Sequence, residues 1–262
     1  MLEINQLAAG YGEKEVLHNI SFLFEGGQNY CILGPNGCGK TTLIRAMAGL
    51  IPFKGSVLIN GQPLDKMKRR EIAKHIAVLS QINDLYFPYS VYDTVMMGRY
   101  QHQKSRLFTT SSVQDAQMVE QCLEMVDLTN ERDTLINELS GGQRQRVFLA
   151  QVLAQDPKII LLDEPSNHLD VRFQIELIEH LKAWSQNSHR IVISVFHDIN
   201  LALHLTDNVL YMKEGKIPRS GKFSEVTDRP FLHWLYEADL KDYMLSSLAL
   251  WKEVPDALSQ PL

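Results

Sequence analysis

GPNGCGKTT, at positions 34–42, is the stretch that decides the fold of this chain. It fits the pattern GxxxxGK(S/T) of a phosphate-binding loop through Gly34, Gly39, Lys40 and Thr41. An apolar run, NYCILG, leads into the loop and an amphipathic run, TLIRAMAGLI, follows it, so we expect the loop to join a buried strand to a helix. Backbone N–H groups of such a turn bind phosphate oxygens. Lys40 is predicted to contact the β- and γ-phosphates of ATP, and the Thr41 hydroxyl to reach Mg²⁺.

The whole loop is expected to contact the nucleotide, and one of its residues is unusual. Cys38 stands where many such loops have serine, and a thiol at a helix N-terminus is expected to have a lowered pKa. We therefore expect alkylation of Cys38 to block ATP binding, and Mg-ATP to protect the thiol. The predicted set of nucleotide contacts is Gly34, Pro35, Asn36, Gly37, Cys38, Gly39, Lys40, Thr41 and Thr42.

A pair of acids at the end of another apolar run gives an independent indication. KIILLDEP, from Lys158 to Pro165, predicts a buried strand with Asp163 and Glu164 at its carboxyl end. A carboxylate in that position holds the Mg²⁺ beside nucleotide phosphates, so Asp163 is a predicted metal ligand. Glu164, one residue on, is placed to activate the attacking water as a general base.

Short apolar runs alternate with helical patterns along the chain, which predicts an α/β fold around a mostly parallel sheet. Turns at Gly10–Gly12 and Asn60–Gly61 predict an antiparallel β-rich flank in the N-terminal part. Strand patterns then vanish over 86–155, where we expect an inserted helical subdomain. These patterns predict one domain over 1–230 and a helical tail over 231–262. The predicted strands of the core are 29–34, 76–81, 158–165, 190–196 and 208–212.

The composition limits the classes of function. The chain has 262 residues, 45% of them hydrophobic, and a formal net charge of −5, which argues against a nucleic-acid-binding protein. Its three cysteines have no disulfide or zinc-site spacing. No signal peptide is expected, and no apolar run approaches the ~18 residues that cross a bilayer. We expect a cytosolic chain that reaches a membrane only through a partner.

A third motif, LSGGQRQR from Leu139 to Arg146, lies between the loop and the acid pair. With this motif in place, the sequence resembles the ATP-binding cassette (ABC) ATPases over about residues 1–230. The resemblance implies the fold of a P-loop NTPase, with a RecA-like core. In ABC proteins the signature turn of one subunit covers the γ-phosphate of ATP held by another. The resemblance therefore implies a homodimer around two ATP molecules. The residues expected to contact the partner's nucleotide are Ser140, Gly141, Gly142 and Gln143.

The same resemblance assigns roles to four further residues. Tyr11 matches the aromatic residue that stacks on adenine. Gln81 matches the Q-loop glutamine, which contacts Mg²⁺ and the water and senses the membrane partner. Asp170 ends the SNHLD segment that matches the D-loop and is expected to contact the nucleotide. His197 matches the switch histidine that holds the γ-phosphate.

The stretch FPYSVYDTVMMGRYQHQ, from Phe87 to Gln103, resembles the corresponding run in importers of metal chelates. This implies the ATP-hydrolysing subunit of a bacterial importer for an iron-siderophore, haem or cobalamin. Such a subunit works at the cytoplasmic face of the inner membrane. Its partners are two transmembrane permease subunits and a periplasmic or lipid-anchored solute-binding protein, and no nucleic acid. Two alternatives stay open: an importer ATPase for another small solute, and a soluble ABC ATPase that acts on nucleic acid or ribosomes.

Overall fold

The structure is a computed structural model, and it describes residues 1–80, 88–102, 112–167, 169–186 and 189–254. Two sheets and ten α-helices make up the described part of the chain. One sheet contains β1 (Leu2–Tyr11), β2 (Lys14–Phe24), β4 (Phe53–Ile59) and β5 (Gln62–Pro63). The other contains β3 (Asn29–Leu33), β6 (Ile76–Leu79), β7 (Ile159–Asp163), β8 (Ile191–Val195), β9 (Asn208–Lys213) and β10 (Lys216–Lys222). The helices are α1 (Lys40–Met47), α2 (Arg69–His75), α3 (Val91–Met97), α4 (Val113–Met125), α5 (Gly141–Ala154), α6 (Val171–Gln186), α7 (Ile199–Leu205), α8 (Phe223–Val226), α9 (Arg229–Tyr236) and α10 (Leu240–Lys252).

The smaller sheet is the antiparallel flank that the turn signals predict. Its strand order is β2-β1-β4-β5, and every described pair in it is antiparallel. The turn between β4 and β5 places Asn60 at φ 49° and Gly61 at φ 81°. Positive φ at both central residues is the two-residue hairpin turn for which Asn-Gly is favoured. The prediction of an N-terminal β flank is confirmed.

The larger sheet confirms the predicted α/β core. Its order is β10-β9-β3-β8-β7-β6, and all neighbours are parallel except the edge pair β9–β10. Pro218 lies in the edge strand β10, at a register shift between Lys216 and Arg219. An edge strand tolerates proline because the residue lacks the N–H that a central strand needs for its ladder. The central strand β3 leads directly into the phosphate-binding loop, so the sheet carries this loop at its carboxyl edge.

Three helices, α3, α4 and α5, pack on one another in a lobe beside the larger sheet. Ser112 caps α4 by accepting the backbone N–H of Asp115. The apolar face of α4 is buried at Val119 and Leu123, but its first residue, Val113, is exposed. Asp115 takes the inward position near the start of α4 because it forms an ion pair inside the lobe.

That ion pair involves Arg99, which is 9% exposed. Its Nε donates to Asp115 Oδ1 at 2.8 Å, and its NH1 donates to the carbonyl of Ala154 at 2.7 Å. The neighbouring Gly98 lies so close to α5 that a Cβ there would come within 2.3 Å of the Gln151 carbonyl oxygen. Gly98 and Arg99, both within the stretch from Phe87 to Gln103, therefore hold α3, α4 and α5 together.

The C-terminal helices differ in how they pack. α9 buries Phe231, Leu232 and Leu235, and the Phe231 ring lies 5.0 Å from that of Tyr211. α10 buries none of its residues. A division of the chain at residue 230 stays a prediction. Among the helices in the described ranges, each is too short or too polar to span a bilayer.

Candidate functional site

The phosphate-binding loop connects β3 to α1 through three glycines with positive φ. Gly34, Gly37 and Gly39 have φ values of 156°, 75° and 109°. Gly39 also meets close neighbours, and a Cβ on Gly34 would lie 2.2 Å from the carbonyl oxygen of Met212. Such a contact with backbone leaves no room for a side chain, and side chains rarely adopt these φ values. The glycine pattern thus follows from steric packing against β9 as well as from the turn itself.

Lys40 is the first residue of α1 and is 5% exposed. Its Nζ donates to the carbonyls of Gly34 and Pro35, both at 2.9 Å. These bonds keep the buried ammonium paired, since an unpaired buried charge is costly. The ammonium therefore lies over the loop, where it can exchange carbonyl partners for phosphate oxygens.

Two of the three predicted magnesium ligands lie next to each other. The Thr41 hydroxyl, at the start of α1, donates to Asp163 Oδ1 at 3.0 Å, at the end of β7. Burial raises the pKa of Asp163, and the hydrogen bond from Thr41 works in the opposite direction. A hydroxyl and a carboxylate are the hard oxygen donors that suit Mg²⁺ when phosphates and waters complete its shell. In the described ranges no three His, Cys, Asp or Glu side chains form a metal site by themselves.

Glu164 follows Asp163 in a left-handed backbone conformation, with φ 56°. Its Oε1 lies 2.6 Å from His197 Nε2, and its Oε2 accepts the side-chain amide of Asn167 at 2.7 Å. A non-glycine residue with positive φ is a mild strain that is common at functional sites. The geometry brings together the predicted base and the predicted switch histidine. Sequence reasoning missed Asn167, whose only signal is its place three residues after Glu164 in a tight turn.

These groups surround one cavity of about 360 Å³. The phosphate loop, Glu164 and His197 therefore line the same cavity. Its described lining is Val16, Asn36, Gly37, Gly39, Lys40, Thr41, Thr42, Glu164 and His197.

Of the four residues assigned through the family resemblance, His197 lines the cavity and two others, Tyr11 and Asp170, lie elsewhere in the described structure. Tyr11 is 47% exposed at the end of β1, where its hydroxyl accepts from Arg45 NH1 at 3.3 Å. Asp170 caps α6 through its Oδ1, which accepts the Phe173 N–H at 3.0 Å. Gln81 lies outside the described residues, so its role stays a prediction.

The signature turn begins α5 and does not line this cavity. Ser140 Oγ accepts the N–H of Gln143, and Gln143 Oε1 accepts the N–H of Ser140, which is a complete capping box. Gly141 and Gly142 form the first turn of the helix. Among the described lining residues of the cavity, none belongs to Ser140–Gln143. In the described structure, the signature turn and the phosphate loop of one chain are therefore separate from each other.

The expected lowering of the Cys38 pKa is wrong, whereas the block of ATP binding by alkylation and the protection by Mg-ATP stay predictions. The thiol is 5% exposed, and burial raises its pKa above the ordinary value of 9.0. The nearby charge of Lys40 and backbone N–H groups act in the opposite direction but do not outweigh the burial. Helix N-termini lower a thiol pKa when water reaches the sulfur, and here neighbouring chain segments exclude it.

Comparisons with known proteins agree with this geometry. The family model described as ABC transporter matches residues 17–167. YvrA of Bacillus subtilis (strain 168), an uncharacterized ABC transporter ATP-binding protein, is 37% identical over 235 residues, which are 89% of this chain and 53% of YvrA. The petrobactin import ATP-binding protein FpuD of Bacillus anthracis is 34% identical over 239 residues, 91% of this chain and 87% of FpuD.

Two solved structures are similar over most of the chain. The dimeric bacterial ABC transporter cassette MJ0796 has a TM-score of 0.76 and 27% identity, and the match covers 85% of this chain and 98% of that one. A metal-chelate type ABC transporter in an inward-facing conformation has a TM-score of 0.75 and 27% identity, with 89% and 88% covered. Because the family model matches more than half of the residues and the relatives span most of them, this chain belongs to the ABC transporter family, among its ATP-binding, ATP-hydrolysing proteins.

Proposed function

We propose that this chain is the ATPase subunit of a bacterial importer that takes up a metal chelate of the iron-siderophore, haem or cobalamin type. One observation carries the dimeric part of the proposal: the chain holds a complete phosphate loop and a signature turn that does not line the same cavity. A site that uses both therefore needs two copies, and a two-fold dimer forms two such sites. The similarity to a dimeric cassette supports this arrangement.

In this proposal each copy supplies the hydrolytic groups for the ATP that it holds. Lys40 and the N–H groups of the loop bind the phosphates, and Tyr11 stacks on adenine. Thr41 and Asp163 hold Mg²⁺, which neutralises charge on the phosphate oxygens when bound. Glu164 accepts a proton from the attacking water, and its contact with His197 orients the carboxylate.

The partner copy contributes the signature turn to the same nucleotide. Ser140 and the glycines of the turn present a hydroxyl, backbone N–H groups and a helix N-terminus, all of which attract an anion. Closing and opening of the dimer then drives two separate permease subunits at the cytoplasmic face of the membrane. The metal-chelate class is supported by the relative FpuD, which is named for petrobactin import, and by the structure of a metal-chelate type transporter.

A mixing experiment tests the shared sites. A Ser140→Arg chain and a Lys40→Ala chain are each expected to form no closed dimer when alone. In a mixed dimer one site carries both lesions and the other is intact, so one ATP is expected to be retained per dimer. Retention of no ATP by the mixture, with both chains folded, would show that the sites are not shared.

A second experiment tests the cargo class. The chain is co-expressed with its neighbouring permease and reconstituted in vesicles with the solute-binding protein. We expect stimulation of ATP hydrolysis by an iron-siderophore, haem or cobalamin complex of that binding protein. Stimulation by RNA or DNA instead, with no permease co-purifying, would favour the soluble alternative.

A further inference from the structure

A buried glutamine joins the signature helix to the segment that follows the catalytic glutamate. Gln145 lies one turn into α5 and is 5% exposed. Its Nε2 donates to the carbonyl of Pro165 at 3.0 Å. Pro165 is itself buried and directly follows Glu164. A single hydrogen bond thus connects the helix that starts at the signature turn to the backbone that carries the general base.

The geometry around this bond makes it an effective constraint. Proline fixes its own φ near −65°, so few soft torsions separate the Pro165 carbonyl from the Cα of Glu164. Glu164 has positive φ, and its N–H donates to the Val195 carbonyl at 3.2 Å. The sheet holds the N–H of Glu164 in place. A movement of the Pro165 carbonyl therefore alters the direction of the Glu164 side chain.

A second contact joins the signature helix to α6. Arg146, next to Gln145 in the signature helix, lies with its guanidinium 3.9 Å from the centroid of the Phe173 ring on α6. Its NH1 also donates to the carbonyls of Val126 and Asp127. The crevice between α5 and α6 has a volume of only about 20 Å³, roughly the space for one water. Gln145, Arg146, Pro165 and Phe173 all line this crevice.

We propose that Gln145 is a positioning residue that couples the two ATP sites of the dimer. Binding of the signature turn to the partner's nucleotide shifts the start of α5, and the hydrogen bond from the Gln145 amide transmits this shift to Pro165. This aligns Glu164 in the site of its own chain. The inference rests on the shared sites of the proposed function, and it predicts that hydrolysis at one site depends on occupancy of the other.

The test uses two variants of the full-length chain. Gln145→Glu keeps the shape of the side chain but removes the amide donor, and Gln145→Met keeps the length but removes all polarity. We expect kcat to fall about tenfold in both, because small misplacements of a catalytic group cost one to two orders of magnitude. The Hill coefficient for ATP is expected to fall towards one, and KM for ATP to stay unchanged.

The matched control is Gln174→Met. Gln174 also donates to carbonyls after Glu164, those of Ser166 and Leu169 at 3.3 and 3.1 Å, but it lies on α6 of the same unit and not on the signature helix. Its loss is expected to lower kcat without changing the Hill coefficient.

A further measurement shows whether a Gln145 variant loses only the coupling to Pro165 or also has a damaged signature turn. It is ATP-dependent dimerisation, followed by gel filtration in a Glu164→Gln background. We expect Gln145→Met to leave this dimerisation unchanged. Weaker dimerisation with a raised KM, or a Hill coefficient equal to that of the wild-type chain, would overturn the coupling role. A wild-type chain that neither dimerises with ATP nor hydrolyses it cooperatively would instead contradict the proposed function. Should one Gln145 variant not fold, the other decides.

Discussion

Arg99→Met tests whether the buried ion pair holds the helical lobe together. The substitution removes the bonds to Asp115 Oδ1 and to the Ala154 carbonyl but leaves an apolar stem of similar length. Hydrogen bonds to charged groups contribute roughly 1.5–3 kcal/mol each, and breaking a buried pair by removing one partner costs about 3–5 kcal/mol. We therefore expect a loss of about 4 kcal/mol, a large part of the ~5–15 kcal/mol that stabilises a typical domain.

Urea unfolding followed by circular dichroism measures this loss. With an m-value of about 3 kcal/mol/M, 4 kcal/mol corresponds to a midpoint shift of roughly 1.3 M. Lys222→Met is the matched control, because Lys222 and Asp207 lie 4.0 Å apart with side chains that are 59% and 64% exposed. Exposed pairs contribute less than about 1 kcal/mol. A loss for Arg99→Met no larger than that of the control would refute the assignment of a stabilising role to the pair.

The same pair gives a pH dependence with a definite sign. Burial alone would raise the pKa of Asp115, but hydrogen bonds from Arg99 and Ser112 lower it below the ordinary value of 3.8. A carboxyl group whose pKa is lowered by folding adds stability above its unfolded pKa and loses it as the pH falls through the folded one. The stability difference between the wild-type chain and Arg99→Met should be largest at neutral pH and should shrink towards values below 3.8. A difference that grows on acidification would contradict this.

Three further outcomes are expected. Glu164→Gln should retain ATP binding and accumulate an ATP-bound dimer, while hydrolysis falls about 10²- to 10⁴-fold; turnover near that of the wild-type chain would remove Glu164 as the base. Cys38 should react with maleimide far more slowly than a free thiol at neutral pH, because burial raises its pKa. Mass spectrometry of the labelled chain measures the rate of this reaction, with Cys38→Ser as the control. Labelling at the rate of an exposed thiol would contradict the expectation. Gly98→Ala should destabilise the chain by about 1–3 kcal/mol in urea, since the added Cβ meets a carbonyl oxygen at 2.3 Å; an unchanged midpoint would show that α3 can move away.

The phosphate loop and the acid pair were predictable because their chemistry is local. A strand, a glycine turn and a helix N-terminus are contiguous in sequence, and so are Asp163 and Glu164. The five core strands appear at the predicted runs, with their ends shifted by up to two residues. Such runs are apolar throughout because both faces of a parallel sheet are buried.

Features that depend on distant residues were not predictable in the same way. Nothing near Cys38 in sequence shows that its thiol is buried, and the wrong direction of its expected pKa follows from this. The inward position of Asp115 depends on Arg99, which lies in the turn after α3 and 16 residues earlier, so the local helical pattern does not predict it. Gln145 sits in a motif that already has a phosphate-binding explanation, and only the fold reveals its bond to Pro165.

The position of β3 has a consequence for how the protein is made. This strand is synthesised early, yet it pairs with β8 and β9, which are synthesised late. The turn after β9 also completes the phosphate loop, since the Gly215 N–H donates to the Cys38 carbonyl at 2.9 Å. Non-local pairings of this kind form slowly and leave apolar segments exposed in the meantime. A ribosome-bound chain that ends before residue 208 should therefore lack ATP affinity and should need chaperone protection for β3, so nucleotide binding would be acquired only near the end of translation.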